Sequence, residues 1–187
     1  MNEGLWVEPS FKASFFIVTT ILMLFMTISA PDQSKPLLFD TLQEMHIISI
    51  KPWSEAITEA LPIRMAIFVQ EQGVPEELEL DESDADADHA LAYIGPLCVG
   101  TARLVGLAGK KGQIGRMAIL SGHRRNGIGS SLLKALLELG RSQGMMEFEL
   151  HAQVTAMPFY ERLGFSSFGE VYDEAGIPHR NMILILQ

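Results

Sequence analysis

The spacing of apolar positions along the chain changes several times, and each change marks an element. His46–Lys51 gathers Ile47, Ile48 and Ile50 into a β-branched run that Pro52 ends, which predicts a first strand. Ser54 reads as a helix N-cap with Glu55 in the first turn. Pro62 interrupts the helical pattern, so a short helix is expected before it and a second turn starting at it, with Ile63, Ile67 and Phe68 as the apolar face. Strands are expected over Ala90–Gly95, Leu97–Leu107 and Gln113–Leu120, with a turn at Gly109–Gly112 between the last two. Ile128, Leu132, Leu133, Leu136 and Leu137 then recur at helical spacing, which predicts a helix over Gly127–Gly140 that closes near Gly144. Met146–Ala152 alternates: Glu147, Glu149 and His151 fall on one face, Phe148, Leu150 and Ala152 on the other. Asn181–Leu186 reads as a final strand.

One run fits none of these periods. Phe15–Ala30 is uncharged throughout, slightly short for a membrane helix of about 20 residues and long for a signal-peptide core. Glu3, Glu8 and Lys12 before it, and Asp32 and Lys35 after it, set no orientation. A membrane anchor, an unusual signal peptide and an upstream translation foreign to the working protein are all open readings. Met45 favours the last, because a strand follows it directly. The expected organisation is therefore an extension over residues 1–44 and one domain over 45–187. The expected location is the cytoplasm, or a membrane surface if residues 15–30 anchor the chain.

Composition narrows the chemistry. The 187 residues carry a formal net charge of −9, which argues against nucleic acid as a general partner. The single cysteine, Cys98, excludes an internal disulfide and a cysteine-rich zinc site. His89, His151 and His179 match no compact metal spacing, so no metal is expected. Glu76–Asp88 is a dense acidic run without a lysine or arginine, read first as a solvated loop and second as a patch that steers a cationic amine. Its oxygens could suit calcium, but the EF-hand glycine and terminal glutamate are missing.

The candidate binding element is the loop between the Gln113–Leu120 strand and the following helix. It reads Arg124, Arg125, Asn126, Gly127, Ile128, Gly129, Ser130. A helix N-terminus presents unpaired N–H groups and partial positive charge. Glycines let an anion approach the backbone, and arginines suit phosphate oxygens. On these residues alone, a phosphate site and a tightly packed strand-to-helix turn are both open. The loop is neither a P-loop nor a full dinucleotide fingerprint.

Arg124-x-x-Gly127-x-Gly129 resembles the (Gln/Arg)-x-x-Gly-x-(Gly/Ala) signature of the GNAT family of N-acetyltransferases. Phe159-Tyr160-x-x-x-Gly164-Phe165 is similar to that family's fourth helix and following strand. Phe68–Pro75 and Glu174–His179 resemble stretches of its bacterial ElaA and YjcF-like subgroup. The resemblance implies a mixed α/β, mostly antiparallel sheet with helices on both faces and a splayed central strand pair, the acyl-CoA N-acyltransferase fold. It implies acetyl transfer from acetyl-CoA, as co-substrate, to a small-molecule or protein amine. Residues 124–130 would hold the pyrophosphate, and the backbone of Met117, Ala118 and Ile119 would meet the pantetheine arm and donate to the thioester oxyanion. Tyr160 would protonate the departing thiolate. Glu71, Glu149 and His151 are the candidate bases. The strand Gln113–Leu120 has no carboxylate, where some family members place theirs. The alternative is a coenzyme A-binding sensor or assembly module without turnover. The acceptor is not named by the sequence, and a homodimer stays open.

Overall fold

The computed structural model describes residues 45–186. The apolar run 15–30 and the proposed 1–44 extension lie outside the described residues. Among the described residues, no helix is long and apolar enough to cross a membrane.

Seven strands form one mixed sheet. In chain order they are β1 (His46–Pro52), β2 (Asp88–Ile94), β3 (Leu97–Leu107), β4 (Lys111–Ile119), β5 (Glu147–Gln153), β6 (Ser166–Glu174) and β7 (Ile177–Ile185). Their order across the sheet is β1-β2-β3-β4-β5-β7-β6. Every neighbouring pair is antiparallel except β4 and β5. The connection between those two must therefore cross over, and α2 (Ile128–Ser142) makes the crossing. Helix α1 (Trp53–Arg64) links β1 to the acidic segment, and the short α3 (Met157–Glu161) follows β5.

The two long helices cover opposite faces. Successive β2 residues point to opposite sides of the sheet. Leu91 packs with Ala56 and Ala60 of α1, whereas Ala90 and Ala92 join the cluster of Leu132, Leu133 and Leu136 of α2. Gly140 lets α2 lie close on β5, since a Cβ there would stand 2.5 Å from the Phe148 ring. The expected mixed sheet with helices on both faces is what forms.

Helix α1 departs from the expectation. Its N-cap is Pro52, not Ser54, and no side chain caps it. Pro62 lies inside the helix instead of ending it. A proline there lacks an N–H and crowds the carbonyl one turn back. Buried Ala56, Ala60 and Ile63 hold the helix in place regardless. The chain then continues as a π-helical turn, Met65–Glu71, which brings Phe68, and Gln72 just after it, to the cleft described below.

The acidic run is also not simply a solvated loop. Glu79 and Asp84 are each only 2% exposed, and Arg64 is fully buried between them. The Arg64 guanidinium donates from Nε to Glu79 and from Nη1 to Asp84 at 2.7 Å. Arg103 of β3 donates to Asp81 at 2.7 Å and to Asp84 at 2.9 Å. Arg116 of β4 donates to Asp81 at 2.9 Å. Asp81 and Asp84 also form a reciprocal capping box around a single 3-10 turn. Glu76, Glu77, Glu82 and Asp86 fit the solvated reading, while three other acids of the run are structural counterions.

Burial pushes the Asp84 carboxyl upward, but hydrogen bonds and charge from Arg64, helped by the Asp81 N–H and by Arg103, outweigh it and hold its pKa at about 2. Removing Arg64 leaves two buried carboxylates short of a partner, so Arg64→Met is expected to cost about 3–5 kcal/mol in urea unfolding. The pH dependence has a definite sign. The folded pKa lies below the unfolded value near 3.9, so the stabilisation is present above about pH 4 and is lost as pH falls through about 2. Urea midpoints measured from pH 5 to pH 2 should fall by the equivalent of about 2 kcal/mol, and Asp84→Asn should flatten that slope.

Candidate active site

Strands β4 and β5 begin together and then part. Only Lys111–Gln113 pairs with Glu147–Glu149. Beyond that point β4 stays with β3, β5 stays with β7, and a wedge opens between them. A bulge sharpens the parting. Thr101 faces Ala118 and Arg103 faces Gly115, so β4 carries one residue more than β3 over the same span. The ladder skips Arg116 and Met117, and Arg116 takes a left-handed φ of 51°. A bulge of this kind leaves backbone groups without strand partners and re-aims side chains.

The wedge is a cleft of about 460 Å³. Phe68 of the π turn and Gln72 just after it form one wall, and Gln153 of β5 forms the other. The two walls are joined where Gln153 donates to Gln72 at 2.9 Å. Glu79, Arg103 and Arg116 bring the ion-pair network to its floor. Tyr160 of α3 places its hydroxyl 3.5 Å from the Met117 sulfur, beside the bulge. Phe159 and Phe165 hold its ring edge-on, at 4.9 and 6.0 Å between centroids. Burial pushes its phenol pKa up to about 12, so the hydroxyl keeps its proton across any working pH.

Of the three strand positions expected to meet the pantetheine arm, Met117 lines the cleft. Ala118 packs with Ile63 of α1 and Ile67 of the π turn, and Ile119 pairs with Gly100.

At the head of α2 the two glycines do different work. Gly127 is the N-cap, with φ 78° and open space where a Cβ would be, so it is the backbone conformation that requires glycine. Gly129 has an ordinary helical backbone, but a Cβ there would stand 3.2 Å from Ile119 and 3.4 Å from the Phe159 ring. Its role is close packing. The first hydrogen bond back to the cap runs from Ser131 N–H to Gly127 O, at 3.0 Å. The N–H groups of Ile128, Gly129 and Ser130 precede it and have no intrahelical partner. Ile128 itself is buried, while Arg125 and Asn126 are exposed.

Arg124 is already engaged. Its Nε donates to Ile119 O at 2.9 Å, and its fork grips both oxygens of Glu71 at 2.8 and 2.7 Å. Hydrogen bonding from Arg124 holds the Glu71 carboxyl below its usual range. A carboxylate so held is a poor proton acceptor, and Glu71 does not line the cleft. Glu149 stands opposite Gln113, where β4 and β5 are still paired, and is likewise absent from the lining. His151, two residues on, reaches the cleft, with Nδ1 3.4 Å from Glu174 and Nε2 3.5 Å from Gln113. The candidate bases are thus brought to three separate places.

Some cleft residues carried no sequence signal for a site. Arg103 of β3 and Arg116 of the β4 bulge are two of them, whereas Gln72 belongs to the Phe68–Pro75 stretch singled out in the sequence and reaches the cleft just past the π turn. His179 lies within β7, which begins at Ile177, earlier than the expected Asn181. Together with Glu174 it enters the cleft from the β6–β7 hairpin. Among the described residues, no group of three or more His, Cys, Asp or Glu side chains could hold a metal. His89 belongs to the ion-pair network, with its Nε2 3.0 Å from Asp84 O.

A family model described as an acetyltransferase (GNAT) domain matches residues 56–186. The Bacillus subtilis N-acetyltransferase YjcF is 36% identical over 130 residues, covering 69% of this chain and 92% of YjcF. Escherichia coli ElaA is 31% identical over 126 residues, covering 65% of this chain and 82% of ElaA. The ElaA crystal structure aligns at a TM-score of 0.67 with 28% identity, over 74% of this chain and 99% of that one. A Pseudomonas aeruginosa acyl-CoA N-acyltransferase gives the same TM-score with 27% identity, over 74% of this chain and 99% of that one. With the signature loop at the head of α2, the parted β4 and β5, and this family match, the chain belongs to the GNAT family of acetyltransferases, with YjcF and ElaA among its relatives.

Proposed function

We propose that this protein moves an acetyl group from acetyl-CoA directly to the nitrogen of an amine. The observation that carries this reading is the wedge between β4 and β5, with the Tyr160 hydroxyl held beside the β4 bulge. In this reading the pyrophosphate sits on the free N–H groups of Ile128–Ser130, with Arg125 adding charge from the exposed side. The pantetheine arm runs into the wedge along Met117. Backbone donors at the bulge meet the carbonyl oxygen as it becomes an oxyanion. The amine enters from the side of His151 and Glu174.

Arg124 has a different role from the one its motif suggests. Its fork is occupied by Glu71, so it ties the loop to the end of the π turn and holds the loop's shape. Tyr160 also acts in a more limited way than full proton donation. A phenol at about 12 is a weaker acid than a thiol near 8.5, so it stabilises the developing thiolate by hydrogen bonding during C–S cleavage.

Two outcomes are expected of the full chain. Acetyl-CoA at about one hundred times its Kd should stabilise the protein by about 2.7 kcal/mol, a rise in Tm of roughly 5 to 10 °C. Arg125→Glu, an exposed charge reversal, should weaken that binding about tenfold or more at low salt and less at high salt. An unchanged Kd would remove the loop from the cofactor site. Tyr160→Phe should lower kcat about a hundredfold while acetyl-CoA affinity stays within about threefold. Binding without any release of free coenzyme A, across a panel of amines, would instead identify a coenzyme A-binding module.

A further inference from the structure

We infer that His179, through its Nε2, is the base that takes the proton from the attacking amine; this rests on the acetyl-transfer reading above. Four groups lining the cleft could accept a proton: Glu79, Glu174, His151 and His179. Glu79 is bound to the buried Arg64. Glu174 stands at the rim with its side chain 47% exposed, beside His151. His151 is 45% exposed and has both ring nitrogens engaged, one by Glu174 and one by Gln113. His179 differs from all three.

The His179 Nδ1 lies 2.8 Å from Ile177 O. A carbonyl oxygen only accepts, so Nδ1 carries the hydrogen and the neutral ring presents a bare lone pair at Nε2. Among the described residues, Nε2 has no hydrogen-bond partner, and the residue is only 9% exposed in a wall of the cleft. The ring cannot turn freely. It stacks on Tyr172 at 6.2 Å and 27°, and the Tyr172 hydroxyl is anchored by donating to Asn181 Oδ1 at 2.9 Å. This is the arrangement a general base needs: a fixed tautomer, a fixed ring and an open acceptor nitrogen.

An amine enters as its ammonium and loses one proton to Nε2, which passes it to solvent. The nitrogen lone pair forms the N–C bond to the acetyl carbonyl carbon. As the tetrahedral intermediate collapses, the C–S bond breaks and its electrons go to sulfur. The second proton shed by nitrogen makes up the one that sulfur receives, giving the amide and free coenzyme A thiol.

The test uses the full chain, with spermidine, ethanolamine, glucosamine and a lysine peptide as charged acceptors and hydroxylamine as one already neutral near pH 7. His179→Gln should lower kcat for the fastest charged acceptor about a hundredfold or more, lower it much less for hydroxylamine, and leave the Kd for acetyl-CoA unchanged. Added imidazole should restore turnover to His179→Gly. Equal losses with both kinds of acceptor, or a large loss from His151→Gln with none from His179→Gln, would overturn the assignment. Nitrogen-15 NMR of labelled histidine gives a second reading that needs no acceptor: His179 should show a protonated Nδ1 and a bare Nε2, and the opposite tautomer would sink the proposal. If the wild type binds acetyl-CoA yet transfers to none of the five probes, it is the acetyl-transfer reading that fails, while the NMR result still judges the geometry of His179.

Discussion

Arg64 is a full positive charge with no exposure to water, and much of the molecule is arranged around keeping it paired. An unpaired charge in an apolar interior is costly enough that the chain must supply counterions. Glu79 and Asp84 meet it, and Asp81 brings in Arg103 and Arg116. One network thereby fastens α1, the acidic segment, β3 and the bulge of β4 to one another. Glu79, Arg103 and Arg116 of this network also line the cleft. Its shape therefore depends on the network staying ionised, which connects the electrostatics of the fold to the geometry of the site.

The second constraint is the way β4 and β5 part. A parallel pair joined over three residues, with a bulge on one partner, cannot remain closed. The gap opens the middle of the sheet and takes backbone at the bulge out of the strand ladder. It also leaves room for side chains from the hairpin of β6 and β7. Gln153 and Gln72 bridge the walls, so the gap is spanned by a neutral hydrogen bond rather than by packed apolar groups. Such a bridge can open for a ligand at modest cost, because water can replace each partner.

Local pattern made some of this legible and hid the rest. The run Leu97–Leu107 reads as a strand and is one, and the leucine spacing after Gly127 reads as a helix and is one. The alternation over Met146–Ala152 put Phe148, Leu150 and Ala152 on one face, and that face is buried. Pro62 misled because propensity is local, whereas the packing of Ala56, Ala60 and Ile63 that holds α1 through it is not. The acidic run misled because its counterions lie on α1, β3 and β4, far away in sequence. Glu149 and His151 share a strand face, yet only the residue beyond the point of parting reaches the cleft. Glu71 and Arg124, 53 positions apart, neutralise each other only once the chain is folded.

By itself, then, the sequence determined the class of the protein: periodicity set most of the elements, and two short motifs set the family. Both signals are local, because side-chain period and loop chemistry are written in residues close along the chain. Only the tertiary structure decided which titratable groups are free to act. That depends on partners brought together across the sheet, on where β4 leaves β5, and on which nitrogen of His179 faces the neighbouring carbonyl.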